Sequence, residues 1–227
     1  MFPAVCYTCK KQMKRTGQRM KFWAYFLIPV YTVLFTRGYN WFTTNFSVIG
    51  NFFDRKKSFL LWGVLVGGYF YVIHRKIRSR VVLHPICAGL IPAALVLLFC
   101  AITTPYLPEE LPFKSVLHIV FAFLSTVLVL LYLLWIIGDR YRIYPGIYRR
   151  FLYGWGAIVG VSALLLAVAG IISSALEIYV TLTSVAMAER LACRVGPQME
   201  RANSGGEASQ GDSPEKSRGK HPDHLLT

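Results

Sequence analysis

The chain is poor in acidic residues and in the residue combinations that mark a catalytic or metal site. Its 227 residues include 11 Asp and Glu against 25 Lys and Arg, and only five cysteines. Cys87 and Cys100 lie in one apolar stretch, about 20 Å apart along a helix, which is too far for a disulfide, so no oxidised framework is expected. The H-E-x-x-H, G-x-S-x-G and P-loop spacings are absent, so none of the reactions that they define is indicated.

The remaining cysteine signal is one Cys-x-x-Cys pair, Cys6 and Cys9. A structural zinc site needs four ligands, and a redox pair normally precedes a helix of an α/β unit, but the sequence provides neither context. We therefore predict no metal, no cofactor and no catalytic residue. The net charge of +14 is concentrated at the ends of apolar runs and forms no continuous basic face, so nucleic acid is not an expected partner.

Long apolar runs are what the sequence has in abundance. Hydrophobic residues make up 55% of the chain, whereas soluble domains have roughly 45–50%. Residues 116–138 carry no full charge and would span roughly 35 Å as a helix, enough to cross a bilayer. The runs predict helices at 22–38, 58–73, 81–101, 116–138, 151–171 and 174–189, with a tight turn near residues 170–174. The predicted fold is all-α: a polytopic integral membrane protein with a six-transmembrane-helix bundle.

Three regions follow from these runs. They are a basic N-terminal arm (1–21), a six-helix transmembrane domain (22–190) and a polar tail (191–227), which is expected to be disordered because it cannot bury enough apolar surface to fold. The arm holds six Lys and Arg residues, and the segments after the second and fourth helices hold four each. The three loops on the other side, after the first, third and fifth helices, hold four, one and none. The positive-inside rule then places both termini in the cytoplasm.

Helical phase predicts which surfaces pack. On the fourth helix, small or polar residues recur at steps of three and four and form one face, which includes His118, Ser125 and Tyr132. Two glycine pairs also predict close approach of neighbouring helices. They are Gly63 with Gly67 on the second helix, and Gly156 with Gly160 on the fifth.

Several polar residues are expected to meet at the outer ends of the helices. His118 lies just inside the fourth helix and Glu177 just inside the sixth. A charged group in lipid costs roughly 3 kcal/mol, so each needs a partner, and a contact between the two would satisfy both. The outer loops add further polar groups to this outer-leaflet site: Asn45, Ser47, Asn51, Asp54, Glu109 and Glu110. The site is interpreted as a clamp between two helices or as a pocket for a lipid head group, an ion or a proton; a third alternative is that His118 and Glu177 do not meet.

Two short segments resemble a known group of membrane proteins. The first outer loop reads N-F-S-V-I-G from Asn45 to Gly50, and L-H-I-V-F-A-F, with His118, opens the fourth helix. Over residues 22–190 the chain resembles uncharacterised bacterial six-helix membrane proteins loosely related to the damage-regulated autophagy modulator (DRAM) and Sfk-type families. Asn45, Ser47, Gly50 and His118 match, whereas the acid usual before that glycine is missing. The resemblance implies six helices in a bacterial plasma membrane, and no reaction.

Three functions remain open from the sequence. The leading one is a non-enzymatic membrane protein that interacts with lipids or partners through its outer loops. The second is a small transporter or permease subunit with a proton or ion site at His118 and Glu177, and the third is a lipid-modifying membrane enzyme. The expected partners are membrane lipids, with anionic head groups at the basic cytoplasmic loops. The sequence indicates no particular protein partner.

Overall fold

The protein is all-helical throughout the part of the chain that the structure describes. The structure, a computed structural model, describes residues 17–52 and 55–209, without the side chains of residues 52 and 196–209. Within these ranges a π-helical turn, Trp23–Leu27, is followed by seven α-helices and no strand. The helices are α1 (Ile28–Thr36), α2 (Phe46–Phe52), α3 (Lys56–Arg78), α4 (Pro85–Thr103), α5 (Pro112–Ile143), α6 (Pro145–Ala169) and α7 (Ser174–Ser209).

The first helical segment is continuous from residue 17 to residue 36 and contains the π turn. Pro29 has no amide hydrogen, and its ring would collide with the carbonyl four residues earlier, which belongs to Tyr25 within the π turn. The wider π turn accommodates a proline that would break or kink a regular helix. The segment therefore begins before the predicted residue 22 and ends two residues before the predicted residue 38.

Prolines and a glycine set the ends of the long helices. Pro85, Pro112 and Pro145 occupy the first turns of α4, α5 and α6, where a missing amide hydrogen costs no intrahelical bond. Gly170 caps the end of α6 in the left-handed conformation, with a φ of 67°, which favours glycine. The chain then reverses, and α7 begins at Ser174. The turn predicted near residues 170–174 is therefore present.

The helices pack around α3, which contacts α1, α2, α4 and α7. Tyr69, Ile73 and Ile77 on its inward face are fully buried. Helix α5 packs against α4 and α6, and its predicted inward face is buried at Ser125 and Tyr132. This arrangement places the N-terminal end of α5 beside α2, which is a short helix in the first loop that the sequence did not predict.

The two predicted glycine pairs differ in their surroundings. Gly63 and Gly67 face α4, and a Cβ atom added at Gly63 would lie 2.9 Å from the side chain of Ile102. Gly156 and Gly160 on α6 are exposed, and no atom of the described chain lies within 4 Å of a Cβ added at either. Within the described chain the second pair therefore does not pack against another helix as predicted; α6 approaches α7 at Gly154 instead, where an added Cβ would lie 2.8 Å from the side chain of Met187.

Three helices, α4, α5 and α6, are long and apolar enough to cross a membrane. Only 6% of the residues in the most apolar stretch of α6 are buried, so most of this stretch is exposed or half-buried, as expected for a helix with lipid on one side. The other helices do not meet the same criterion: α1 has nine residues, and the last turn of α3 is basic. The six-span bundle remains a prediction for these other helices.

Helix α7 continues beyond the predicted end at residue 189 and reaches Ser209. The packed part of the helix therefore includes residues 191–195, which were predicted to belong to the disordered tail, while disorder in the rest of the tail stays a prediction. The buried face of the helix continues through Leu191, Ala192 and Val195, which pack against the core. Residues 210–227, Cys6, Cys9 and Asp54 lie outside the described residues.

Candidate functional site

His118 lies in the second turn of α5 and is 2% exposed. Its Nδ1 is 3.0 Å from the carbonyl oxygen of Thr104, which ends α4, and its Nε2 is 2.5 Å from the hydroxyl of Ser47 in α2. A carbonyl oxygen only accepts hydrogen bonds, so Nδ1 carries the proton, and in the neutral ring Nε2 accepts from Ser47. The imidazole therefore joins α2, the end of α4 and α5.

Helix α2 holds Ser47 in place through its own asparagines. The side-chain oxygen of Asn45 accepts from the amide of Val48 at 2.8 Å, which is the N-cap arrangement. Asn51 donates from its side chain to the carbonyl of Ser47 at 2.9 Å. Both predicted site asparagines thus stabilise this short helix, and Ser47 makes the contact with the histidine.

Glu177 lies in the first turn of α7, and its Oε2 accepts from the amide of Phe46 at 2.7 Å. The first amides of α7 are also satisfied by the loop before α2, since Ser174 and Ala175 donate to the carbonyls of Thr44 and Trp41. The start of α7 is therefore held against α2 and its loop, and a carboxylate at a helix N-terminus is favoured by the helix dipole.

The predicted direct contact between His118 and Glu177 is not made, since no ion pair joins them. The two residues are instead bridged by consecutive residues of α2, because Phe46 binds Glu177 through its amide and Ser47 binds His118 through its hydroxyl. Of the predicted site residues that the structure describes, Ser47, His118 and Glu177 line one cavity, whereas Asn45, Asn51, Glu109 and Glu110 do not. The sequence placed His118 and Glu177 at one end of the bundle but could not predict the element between them.

A cavity of about 360 Å³ opens beside this bridge, and we call it the His118 cavity. Ser47, His118 and Glu177 line one end of it, while most of the remaining lining is apolar and comes from α3, α4, α5, α6 and α7. Along α5 the lining extends from His118 to Leu130, a distance of roughly 18 Å at the helical rise. The cavity is therefore amphipathic, with polar groups concentrated at one end.

A smaller cavity of about 70 Å³ lies next to it and shares the lining residues Trp62, Thr126 and Thr181. It also contains the hydroxyl of Ser184, which is buried and has no hydrogen-bond partner among the described residues. Polar side chains thus continue some way along α7 from the His118 cavity toward the middle of the bundle.

A second polar cluster surrounds Glu189, a residue that the sequence analysis missed. Glu189 is 1% exposed, and its carboxylate is 3.3 Å from the hydroxyl of Tyr69, 3.3 Å from the thiol of Cys193 and 3.8 Å from the ammonium of Lys76. A helix extended beyond residue 189 would have identified Glu189 as inward-facing, because Glu189 lies on the same helix face as the apolar residues Val185 and Ala192.

Within the described ranges, no group of three or more His, Cys, Asp or Glu side chains is arranged to hold a metal ion. The structure thus defines an all-helical protein, with three helices able to cross a membrane and an amphipathic cavity near one end of its helices. Comparison of the chain with protein-family models, with curated proteins and with solved structures finds no match.

Proposed function

We propose that the protein is a multi-pass membrane protein that binds a single-chain amphiphile in the His118 cavity. The observation that carries the proposal is the lining of this cavity, which is polar at the end formed by Ser47, His118 and Glu177 and largely apolar elsewhere. Its length along α5, roughly 18 Å, is about the depth of one leaflet of a hydrocarbon core some 30 Å thick. An alkyl chain lying along α5 would place its head group beside α2.

We further propose a bundle of six passes with both termini on the cytoplasmic side; the lengths of the other helices support the six passes, and the Lys and Arg counts of the loops support the orientation. Residues 17–36 form one continuous helix, and α3 has 23 residues, so each reaches roughly 30 Å or more. Helix α7 returns the chain after the turn at Gly170. This arrangement would extend the three apolar helices to a bundle of six.

The polar end of the cavity favours a head group that donates hydrogen bonds. Glu177 lines the cavity, whereas no Lys or Arg among the described residues does so. A carboxylate beside apolar surface is stabilised by a cation or a hydrogen-bond donor and repels a second anion. Both nitrogens of His118 are already engaged. An ammonium or hydroxyl head therefore fits better than a carboxylate or a phosphate.

The proposal is tested by photolabelling the purified full chain in detergent with a dodecylamine that carries a diazirine on its alkyl chain. Labelled peptides are expected from the α5, α6 and α7 segments that line the cavity. Unlabelled dodecylamine or dodecanol should compete for the site, and dodecanoate should not. The Ala122→Phe substitution adds a ring to the cavity wall and should lower labelling about tenfold, which corresponds to roughly 1.4 kcal/mol.

The matched control is Ala167→Phe, which adds the same ring to the exposed face of α6 and does not touch the cavity lining. This variant should label like the wild type. The conservative change Glu177→Gln should remove the advantage of dodecylamine over dodecanol while leaving dodecanol competition intact. Equal labelling of the Ala122→Phe and Ala167→Phe variants, or equal competition by dodecanoate, would refute the proposal.

A proton or ion relay is the second candidate, and the buried hydroxyl of Ser184 is the observation that favours it. Thr181 and Ser184 lie between Glu177 and Glu189 along α7, so polar groups recur at several levels of the bundle. A relay requires that reconstituted protein dissipates a pH gradient across liposomes and that Glu177→Gln stops the flux. Amphiphile binding without such flux would favour the lipid-binding function over this one.

A further inference from the structure

A larger cavity, of about 770 Å³, lies at the opposite end of α5 from His118, and we call it the basic cleft. It is formed by the first helical segment, the first turns of α6 and the part of α7 around Glu189. From His118 to the end of α5 at Ile143 the helix rises roughly 38 Å, which separates the cleft from the His118 cavity. Four cationic side chains line the cleft: Lys21, Arg150, Arg190 and Arg194.

The positive charge of the cleft is not neutralised by the side chains that the structure describes. None of its four cations forms an ion pair with a described side chain. The one acidic lining residue is Glu189, whose carboxylate is already bound by Lys76, Tyr69 and Cys193. Four cations drawn from three separate segments therefore surround one cavity, and none of them is ion-paired with a side chain that the structure describes.

Apolar side chains make up much of the rest of the cleft. Tyr25, Ile147, Phe151 and Met187 line it, and Tyr25 is 46% exposed. A site for a soluble anion needs no such surface, whereas a phospholipid presents its phosphate directly beside its glycerol and acyl chains. Basic pockets between helices on the cytoplasmic side of a membrane are suited to anionic lipid head groups. The combination favours a lipid over a free phosphate.

We propose that the basic cleft binds the phosphate of an anionic phospholipid, with the arginines around the phosphate and the acyl chains against the apolar side chains. Arginine is suited to this role because its planar guanidinium donates two parallel hydrogen bonds to phosphate oxygens. The N-terminal end of α6, near Gly146 and Ile147, also lines the cleft. Its partial positive charge adds to that of the four cations, which define the site. The proposal does not depend on the ligand of the His118 cavity.

The experiment is native mass spectrometry of the full chain released from nanodiscs of phosphatidylcholine that contain phosphatidylglycerol. The wild type should retain phosphatidylglycerol in preference to phosphatidylcholine. Each cation near a membrane surface contributes an affinity factor of about fivefold. Arg150→Gln should therefore weaken retention by about fivefold, and Arg150→Gln combined with Arg190→Gln by about 25-fold.

Arg149→Gln is the matched control, because Arg149 is the adjacent residue and carries the same charge but does not line the cleft. Its guanidinium instead donates to the hydroxyl of Tyr153 at 2.9 Å, on its own helix. If Arg149→Gln and Arg150→Gln weakened phosphatidylglycerol retention equally, the effect would come from general surface charge, and the proposal would be overturned. Complete displacement of the lipid by millimolar inorganic phosphate would assign the cleft to a soluble anion, and would also overturn it. Far-ultraviolet circular dichroism verifies that each variant is folded.

Discussion

At the scale of single residues, His118 is the point where three segments of the chain meet. It is buried and contacts the rings of Tyr106 and Phe59, and its two nitrogens bind Thr104 and Ser47. A buried imidazole with both nitrogens satisfied acts first as a structural connection. In the proposed amphiphile site it would act through that connection, because it holds the hydroxyl of Ser47 at the polar end of the His118 cavity.

The Ser47→Ala substitution tests this connection. It leaves Nε2 of His118 without its donor in a buried site, and we expect a loss of about 1 kcal/mol in the free energy of unfolding, a typical magnitude for such a bond. The control is Ser162→Ala, since the hydroxyl of Ser162 bonds only to a carbonyl of its own helix, at 2.6 Å. Thermal unfolding in detergent measures both variants. Equal melting temperatures for the two would show that the bond to His118 carries no stability.

Part of this site could be predicted from the sequence, and the physical reason is clear for each residue. His118 and Glu177 could be found because each is an isolated ionisable group near the end of an apolar run. Ser47 was placed in the same site, but its pairing with His118, 71 residues away along the chain, could not be predicted, and neither could the contact of Glu177 with Phe46, 131 residues away. Helical phase gives the face on which a residue lies but not the neighbouring segment that will pack against that face.

At the scale of elements, the short helix α2 contributes buried side chains and aromatic contacts to the core as well as polar contacts to the site. It has seven residues, and its side chains Phe46 and Ile49 are fully buried. Phe46 packs its ring against those of Phe35 and Trp62, at centroid distances of 5.5 Å and 4.9 Å. The sequence did not predict the helix because a seven-residue segment in an aromatic loop has too few turns to show helical periodicity.

Gly50 fixes how closely α2 approaches α3. A Cβ atom added there would lie 2.9 Å from the Cβ of Phe59, which cannot move without its backbone. We expect Gly50→Ala to destabilise the protein by about 1–3 kcal/mol, as overpacking does, and to weaken dodecylamine binding by displacing Ser47. Chemical unfolding and the photolabelling assay measure the two effects.

The control for this prediction is Gly89→Ala on α4. Gly89 is exposed, and an added Cβ meets no described atom within 4 Å. This variant should be neutral or slightly stabilising, because alanine favours a helix by about 0.5–1 kcal/mol over glycine. If Gly50→Ala is as stable as Gly89→Ala, α2 can shift without cost and does not hold the site.

At the scale of the whole molecule, the two ends of the bundle present opposite chemistry. One end offers the carboxylate of Glu177 to the His118 cavity, while the other surrounds the basic cleft with four cations. The sequence predicted the basic end, because Lys and Arg cluster between the apolar runs. It did not predict that Lys21, Arg150 and Arg194 line one cavity, since that depends on three segments converging and on α7 continuing as a helix past residue 189.

The proposed orientation is tested by the loops at the two ends of α4. Ser79 in the basic loop before α4 and Glu110 in the loop after it are both exposed, and the helix between them has 19 residues, or roughly 28 Å of rise. With the native cysteines replaced by alanine, we expect a membrane-impermeant maleimide to label Glu110→Cys in intact cells. Ser79→Cys should react only after the cells are permeabilised.

The expected pattern follows from the retention of Lys and Arg on the cytoplasmic side. The opposite labelling pattern would mean that the bundle has the reverse orientation, with the basic cleft away from the anionic cytoplasmic leaflet. Labelling of both variants in intact cells would show that α4 does not cross the membrane, and the six-pass arrangement would then fail with it.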